Sequence, residues 1–261
     1  MTPLPTLFVS HGSPMLAIQD SPARRFLQGL GKTLPKPQAI VVVSAHWESS
    51  AGPAVSLADK LETIHDFGGF PPALFAIQYP ASGSPQIAKQ VAQHLEHAGY
   101  PVKVSLQRGL DHGAWVPLML MYPDADIPVF QVSVLRDAGA AEHERLGQAL
   151  ALLRNDGILV IGSGSLTHNL YEFRGQELDS PVPSWVSDFG NWMKNALQRG
   201  QRDALLNYRS EAPQAERNHP TEEHLMPLFV AMGAAGSDAT ATQLHSSYEY
   251  GILAMDVYSF G

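Results

Sequence analysis

Cysteine is absent from this 261-residue sequence. That excludes disulfides, thiolate nucleophiles and cysteine-ligated zinc or iron–sulfur centres. Charge is sparse as well: Asp, Glu, Lys and Arg make up 16% of the chain, too little for a disordered or coiled-coil protein. Its Lys and Arg stand singly or in pairs such as Arg24-Arg25, and the formal net charge is −8. A nucleic-acid groove needs clustered cations that displace counterions, so none is expected. There is no uninterrupted apolar run of about 18 residues, the length that reads as a membrane span. The opening MTPLPTLFVSHG lacks the basic head and apolar core of a secretory signal. These absences lead us to expect a cytoplasmic protein without nucleic-acid or membrane partners. They leave the oligomeric state open.

What the sequence does have is core-forming material, 44% hydrophobic residues, and a regular alternation of short and long apolar patterns. Thr6–Val9, Ala39–Ser44, Val102–Leu106, Ile127–Leu135 and Ile158–Ile161 are rich in Val and Ile and read as buried strands. Helical patterns lie between them. One is capped by Ser84 with Pro85 at its first position, and carries Ile87, Val91 and Leu95 on one stripe. Others are expected over Ala140–Arg154 and Ser184–Gln198. Ile64–Pro85 reads as a structured loop, and Thr240–Phe260 as two antiparallel strands turning at Gly251. With no repeat and no linker, the expectation is a single α/β domain over residues 1–261. Its central sheet should be mainly parallel and flanked by helices, with a C-terminal antiparallel strand pair.

Four of the eleven histidines sit where a strand-like run gives way to a turn or helix start: His11, His46, His168 and His224. Strand ends are where such sheets gather functional side chains. Without cysteine, the simplest chemistry for this group is a nitrogen/oxygen metal site. His11 and His46 follow the first two strands, so both imidazoles could reach one ion. His168 follows the flexible Gly162-Ser163-Gly164-Ser165, which lacks the Lys and the spacing of a phosphate loop. His224 lies in HPTEEHL, where Thr221 reads as an N-cap and Glu222 and Glu223 as first-turn acids that suit the helix dipole. On a helix Glu223 and His224 would diverge by about 100°, so only one would face a metal, and which one stays open. His65-Asp66 and Asp111-His112 each pair an acid with a histidine beside glycine and an aromatic residue. Either pair could hold a planar polar substrate or simply form an Asx turn over the core. His219 reads as a residue behind the site or in its loop; His94, His97, His143 and His245 are assigned to structure.

Taken in order, FVSHGSPM, VVVSAHW, IHDFGGFP, DHGAWVPL, GSGSLTHNL and HPTEEHLMPL closely resemble the class III, LigB-type extradiol ring-cleavage dioxygenases, and within them the 4,5-DOPA extradiol dioxygenase branch. The resemblance spans nearly the whole chain. It implies one divalent metal ion held by His11, His46 and His224, with Fe(II) for catalysis and Zn(II) as the ion bound on purification. His168 would be a fourth ligand in a zinc form, or the catalytic base in the iron enzyme. His112 and His65 would lie beside the substrate, with His112 also catalytic. The implied substrates are O₂ and a DOPA-like catechol, opened to a muconic semialdehyde. The chain departs from the branch where Pro-Thr-Pro-Glu/Asp-His is usual and Pro220-Thr221-Glu222-Glu223-His224 stands. Other LigB-type enzymes use two histidines and a glutamate, the triad common to non-haem iron oxygenases. The same histidines also allow a zinc hydrolase with Glu223 as base, or a non-enzymatic metal-binding protein of the Memo type.

Overall fold

Alternate residues of the central strands point to opposite faces of one sheet, and both faces are buried. A computed structural model describes residues 3–261; Met1 and Thr2, the head of the segment read for a secretory signal, lie outside the described residues. The strands are β1 (Thr6–Ser10), β2 (Ala39–Ser49), β3 (Ala54–Ser56), β4 (Lys103–Ser105), β5 (Val129–Leu135), β6 (Ile158–Gly164), β7 (Ala241–His245), β8 (Tyr248–Glu249), β9 (Leu253–Ala254) and β10 (Val257–Phe260). Eight form one sheet in the order β4-β3-β5-β2-β6-β1-β10-β7. Its centre, β5-β2-β6-β1, is parallel, and β10 runs antiparallel to both β1 and β7.

Phe8, Val41, Val43 and Val160 pack beneath the Pro85–His97, Ala140–Leu150, Ser184–Gln198 and Met226–Ala235 helices. Leu7, Val9, Ile40, Val42 and Leu159 pack on the other face beneath the Pro22–Thr33 and His112–Met121 helices. Each such buried aliphatic side chain contributes roughly 1.5–3 kcal/mol over exposure. The expected single-domain α/β sandwich is therefore present. No helix among the described residues is long and apolar enough to cross a membrane.

Four expectations need correction. Val102–Leu106 is not a buried strand: β4 is a short edge strand, with Val104 56% and Leu106 71% exposed. An edge strand lacks a neighbour and a covering helix, which its apolar composition alone does not reveal. The helix expected over Ala140–Arg154 stops at Leu150 and tightens into a 3₁₀ turn over Ala151–Arg154. The C-terminal segment holds four strands rather than two. Gly251, at φ +68°, does turn the small β8–β9 hairpin, while β7 and β10 join the main sheet. Finally, no helix begins at Thr221. The hydroxyl of Thr221 donates to Glu223 at 3.1 Å, Glu222 accepts from the Tyr208 hydroxyl, and the helix starts only at Met226.

Two details of the sheet place the site. In β2, Ser44 pairs with Ser133 and Glu48 with Val134, so Ala45–Trp47 bulge out of the ladder. Bulges re-aim side chains, and this one carries His46. At the end of β6, a Cβ on Gly164 would lie 2.1 Å from the His224 carbonyl oxygen, and the Ser165 N–H donates to that oxygen at 2.8 Å. Only glycine lets the turn bearing His224 lie so close to the strand end.

Candidate metal centre and active site

His11, His46 and His224 converge at the carboxyl edge of the parallel strands, with one ligand atom from each lying within 4.8 Å of the others. His11 extends β1 and is 1% exposed. Its Nδ1 is 3.0 Å from the Ser163 hydroxyl, whose own proton goes to the Gly113 carbonyl. Ser163 must therefore accept from His11 Nδ1–H, which leaves His11 Nε2 unprotonated. His224 Nδ1 donates to Glu223 at 2.8 Å, and its Nε2 is buried without a hydrogen-bond partner. His46 turns Nδ1 toward Asp66, at 3.4 Å, and Nε2 toward His11 Nε2, at 3.1 Å.

His11 and His224 thus engage an oxygen through Nδ1, and the buried Nε2 of His224 has no partner. His46 and His11 turn their Nε2 atoms toward each other at 3.1 Å, a separation that two ligands of one ion can adopt. Oxygen partners behind metal-binding histidines fix the tautomer in just this way. Burial, reinforced by the neighbouring imidazoles, pushes His11 and His224 well below the usual histidine range. Burial also lowers His46 and His168 to about 4. All four are neutral near pH 7, so protons compete little for the ligand atoms. Three neutral imidazole nitrogens in a closed set fit a divalent ion of the zinc or iron kind. Two other groupings, His46–Asp66–His112 and His168–Glu223–His224, come equally close. Their carboxylates are already taken up as acceptors for ring N–H groups, so the His11–His46–His224 set is the better cradle.

The two acid–histidine motifs divide their labour. Asp111 is fully buried and accepts from Ser44, Arg108 and Gln131 side chains while capping the His112–Met121 helix, so it is structural. His65 donates to the Ile77 carbonyl at 3.1 Å, packs among Phe67, Phe75 and Trp115, and does not line the cavity. The members that do line it are Asp66 and His112, one from each motif. His112 donates both its backbone N–H and Nδ1–H to Asp66 Oδ1, at 3.0 and 2.9 Å. Burial works to raise the Asp66 carboxyl, but these bonds and the adjacent histidine charge outweigh it and hold it near 2. His112 Nε2 is left as the acceptor nitrogen, with the His112 and His46 rings 4.0 Å apart.

His168 lies outside the converging trio. Its ring stacks on His224 at 3.5 Å and 7°, and it lines the same cavity. His219 bonds the Leu166 carbonyl through Nε2 and belongs to the loop. The cavity has a volume of about 630 Å³, within the usual range for small-molecule sites.

The chain matches the family described as the catalytic LigB subunit of aromatic ring-opening dioxygenase over residues 5–260. It belongs to the LigB family. It is 44% identical to a 4,5-DOPA dioxygenase extradiol of Beta vulgaris, with 98% of this chain and 96% of that protein aligned. It is 42% identical to a protein of the same description from Escherichia coli K12, over 97% of this chain and 93% of that one. A crystal structure of an uncharacterized protein from E. coli K12 superposes with TM-score 0.82 at 37% identity, covering 99% of this chain and all of the other.

Within this LigB domain, sequence reasoning missed Ser163 and Tyr250. Ser163 lies in the buried strand β6, in a stretch that the sequence reads only as a flexible glycine–serine loop. Tyr250 reaches the cavity from the β8–β9 hairpin at φ +55°, and no motif marks it. Glu223, read as a rival ligand, is instead the partner of His224. Replacing it by Gln is expected to weaken metal affinity by about 10- to 100-fold, as losing such a partner does elsewhere. Competition against a chelator of known affinity measures this; unchanged affinity would show that the His224 ring is held without Glu223.

Proposed function

We propose that the chain is an extradiol dioxygenase that opens a catechol ring beside its paired hydroxyls, at the cavity floored by His11, His46 and His224. The observation that carries this reading is the trio of histidines whose ligand nitrogens converge in a LigB-family cavity of small-molecule size. We assign the three histidines as ligands of one divalent ion, Fe(II) in the active enzyme, with Zn(II) able to take the same place. When bound, that ion orients the catechol oxygens and supplies the redox chemistry with O₂ that breaks the ring.

The residues around it divide the remaining work. His168 accepts a catechol hydroxyl proton and later returns it, as base and then acid. An anionic substrate beside it would raise its basicity above that of the buried, empty-handed imidazole. His112, its tautomer set by Asp66, accepts a hydrogen bond at Nε2 from the substrate's second hydroxyl and holds the ring in line. Ser163, Asp66 and Glu223 keep the ligand rings in the orientation that exposes Nε2. Phe67 and Phe70 shield the site from water. The curated relatives are described as acting on DOPA, which makes a DOPA-like catechol the first candidate. The test is anaerobic reconstitution with Fe(II), then O₂ uptake over a panel of catechols including DOPA, caffeate and protocatechuate. Ring cleavage with iron and O₂, and none with zinc, is expected. Turnover that continues without O₂ would replace this reading with hydrolysis.

A further inference from the structure

Away from the histidines the cavity offers hydrogen bonds but no free charge. Phe67, Phe70, Leu170, Phe173 and Leu253 supply its apolar lining, and among the described residues no Lys or Arg lines it. Its carboxylate, Asp66, is occupied by His112. Two hydroxyls remain, those of Ser13 and Tyr250, and their hydrogen bonds give them opposite characters. Ser13 Oγ accepts from the Met15 N–H at 3.3 Å, and its own proton has no acceptor among the described residues, so it is left as a donor. The Gly12 and Ser13 N–H groups adjoin it, likewise with no acceptor among the described residues. Gly12 stands at φ +60°, and a Cβ there would lie 2.5 Å from Met255, so only glycine fits this turn.

Tyr250 is the reverse case. Its phenol donates to Gln19 Oε1 at 2.8 Å, which leaves its oxygen as an acceptor. Its backbone N–H donates to the Leu178 carbonyl at 2.8 Å, so the residue is held at both ends. One short stretch of chain ties the two hydroxyls together: the Gln19 N–H donates to the Met15 carbonyl at 2.7 Å, and Met15 donates to Ser13. A donor set and an acceptor, with no net charge between them, match a zwitterion. Without such partners each charged end would lose water and gain nothing, which is costly. Ser13 is two residues beyond His11, so its Cα lies within about 7.6 Å of the Cα of that ligand. That places it in reach of a side chain leaving a ring seated against His11. We infer that Ser13 and Tyr250 form the subsite for the α-amino-acid end of the catechol. Ser13 and the adjoining N–H groups donate to its carboxylate, and the Tyr250 oxygen accepts from its ammonium. This assignment rests on the reading of the cavity as a catechol site, and no part of it depends on ring cleavage.

The experiment is anaerobic calorimetric titration of the Zn(II)-loaded protein with four catechols. L-DOPA carries both charged groups, 3-(3,4-dihydroxyphenyl)propanoate only the carboxylate, dopamine only the ammonium and 4-ethylcatechol neither. L-DOPA is expected to bind most tightly and ethylcatechol most weakly. Ser13→Ala should weaken L-DOPA and the acid by about tenfold while moving dopamine and ethylcatechol by less than about threefold. Tyr250→Phe should do the converse, weakening L-DOPA and dopamine and sparing the acid and ethylcatechol. An equal loss for all four ligands in a variant that still holds Zn(II) overturns the inference. So does L-DOPA binding no more tightly than ethylcatechol to the unaltered protein, which decides alone if a variant fails to fold. If the ligands sort as expected yet the Fe(II) protein cleaves none of them, ring cleavage falls and the subsite stands. If the Fe(II) protein cleaves L-DOPA and ethylcatechol while binding them equally, the subsite falls and ring cleavage stands. If no catechol binds, both fall.

Discussion

His11→Ala and His46→Ala proteins are expected to hold less than about a tenth of an equivalent of metal and to lose ring cleavage by at least about 1,000-fold. Removing the oxygen partner of a ligand typically costs about 10- to 100-fold, and removing the ligand itself must cost more. Position decides which histidines carry this penalty. His11 and His46 oppose their Nε2 atoms at 3.1 Å, whereas His94 lies in the last turn of the Pro85–His97 helix and does not line the cavity. His94→Ala should therefore leave both quantities at the level of the unaltered protein. Elemental analysis and O₂ uptake on all three variants check this. Stoichiometric metal with full ring cleavage in His11→Ala or His46→Ala would sink the assignment of the centre.

His168→Asn should separate binding from chemistry. General acid–base groups contribute about 10²- to 10⁴-fold, and a loss of kcat in that range is expected with metal content unchanged. Nothing in the geometry makes His168 necessary for holding an ion: it stacks on His224 outside the converging trio. Anaerobic catechol affinity should change by less than about threefold, because the substrate's anchor and its His112 contact remain. Loss of metal along with kcat would instead mark His168 as a fourth ligand.

How far these residues could be read from sequence follows from how local their causes are. The strands leading to His11 and His168 were legible because β-branched runs announce strands and the polar break announces their ends, whereas His46 lies within β2 rather than at its end. The extension of β2 through its bulge to Ser49 was not, since it depends on β5 offering no residues opposite Ala45–Trp47. Thr221 looked like a helix cap, but its hydroxyl went to Glu223 and Tyr208 claimed Glu222, so the helix lost both signals to tertiary partners. That same turn converted Glu223 from a rival of His224 into its support. The pairing of Asp66 with His112 joins two motifs 46 residues apart. Each motif showed an acid and a histidine, and neither could say which member would face the cavity.

The antiparallel bond between β1 and β10 has a consequence for how the protein is made. Thr6 pairs with Phe260, so the strand that carries His11 lies between β6 and a strand from the opposite end of the chain. During synthesis β1 waits for a neighbour that is translated much later than itself. Such long-range pairing slows folding. Until β10 arrives, one edge of β1 is open to pairing with the wrong strand. Capacity to hold metal should therefore appear late and abruptly as the nascent chain lengthens.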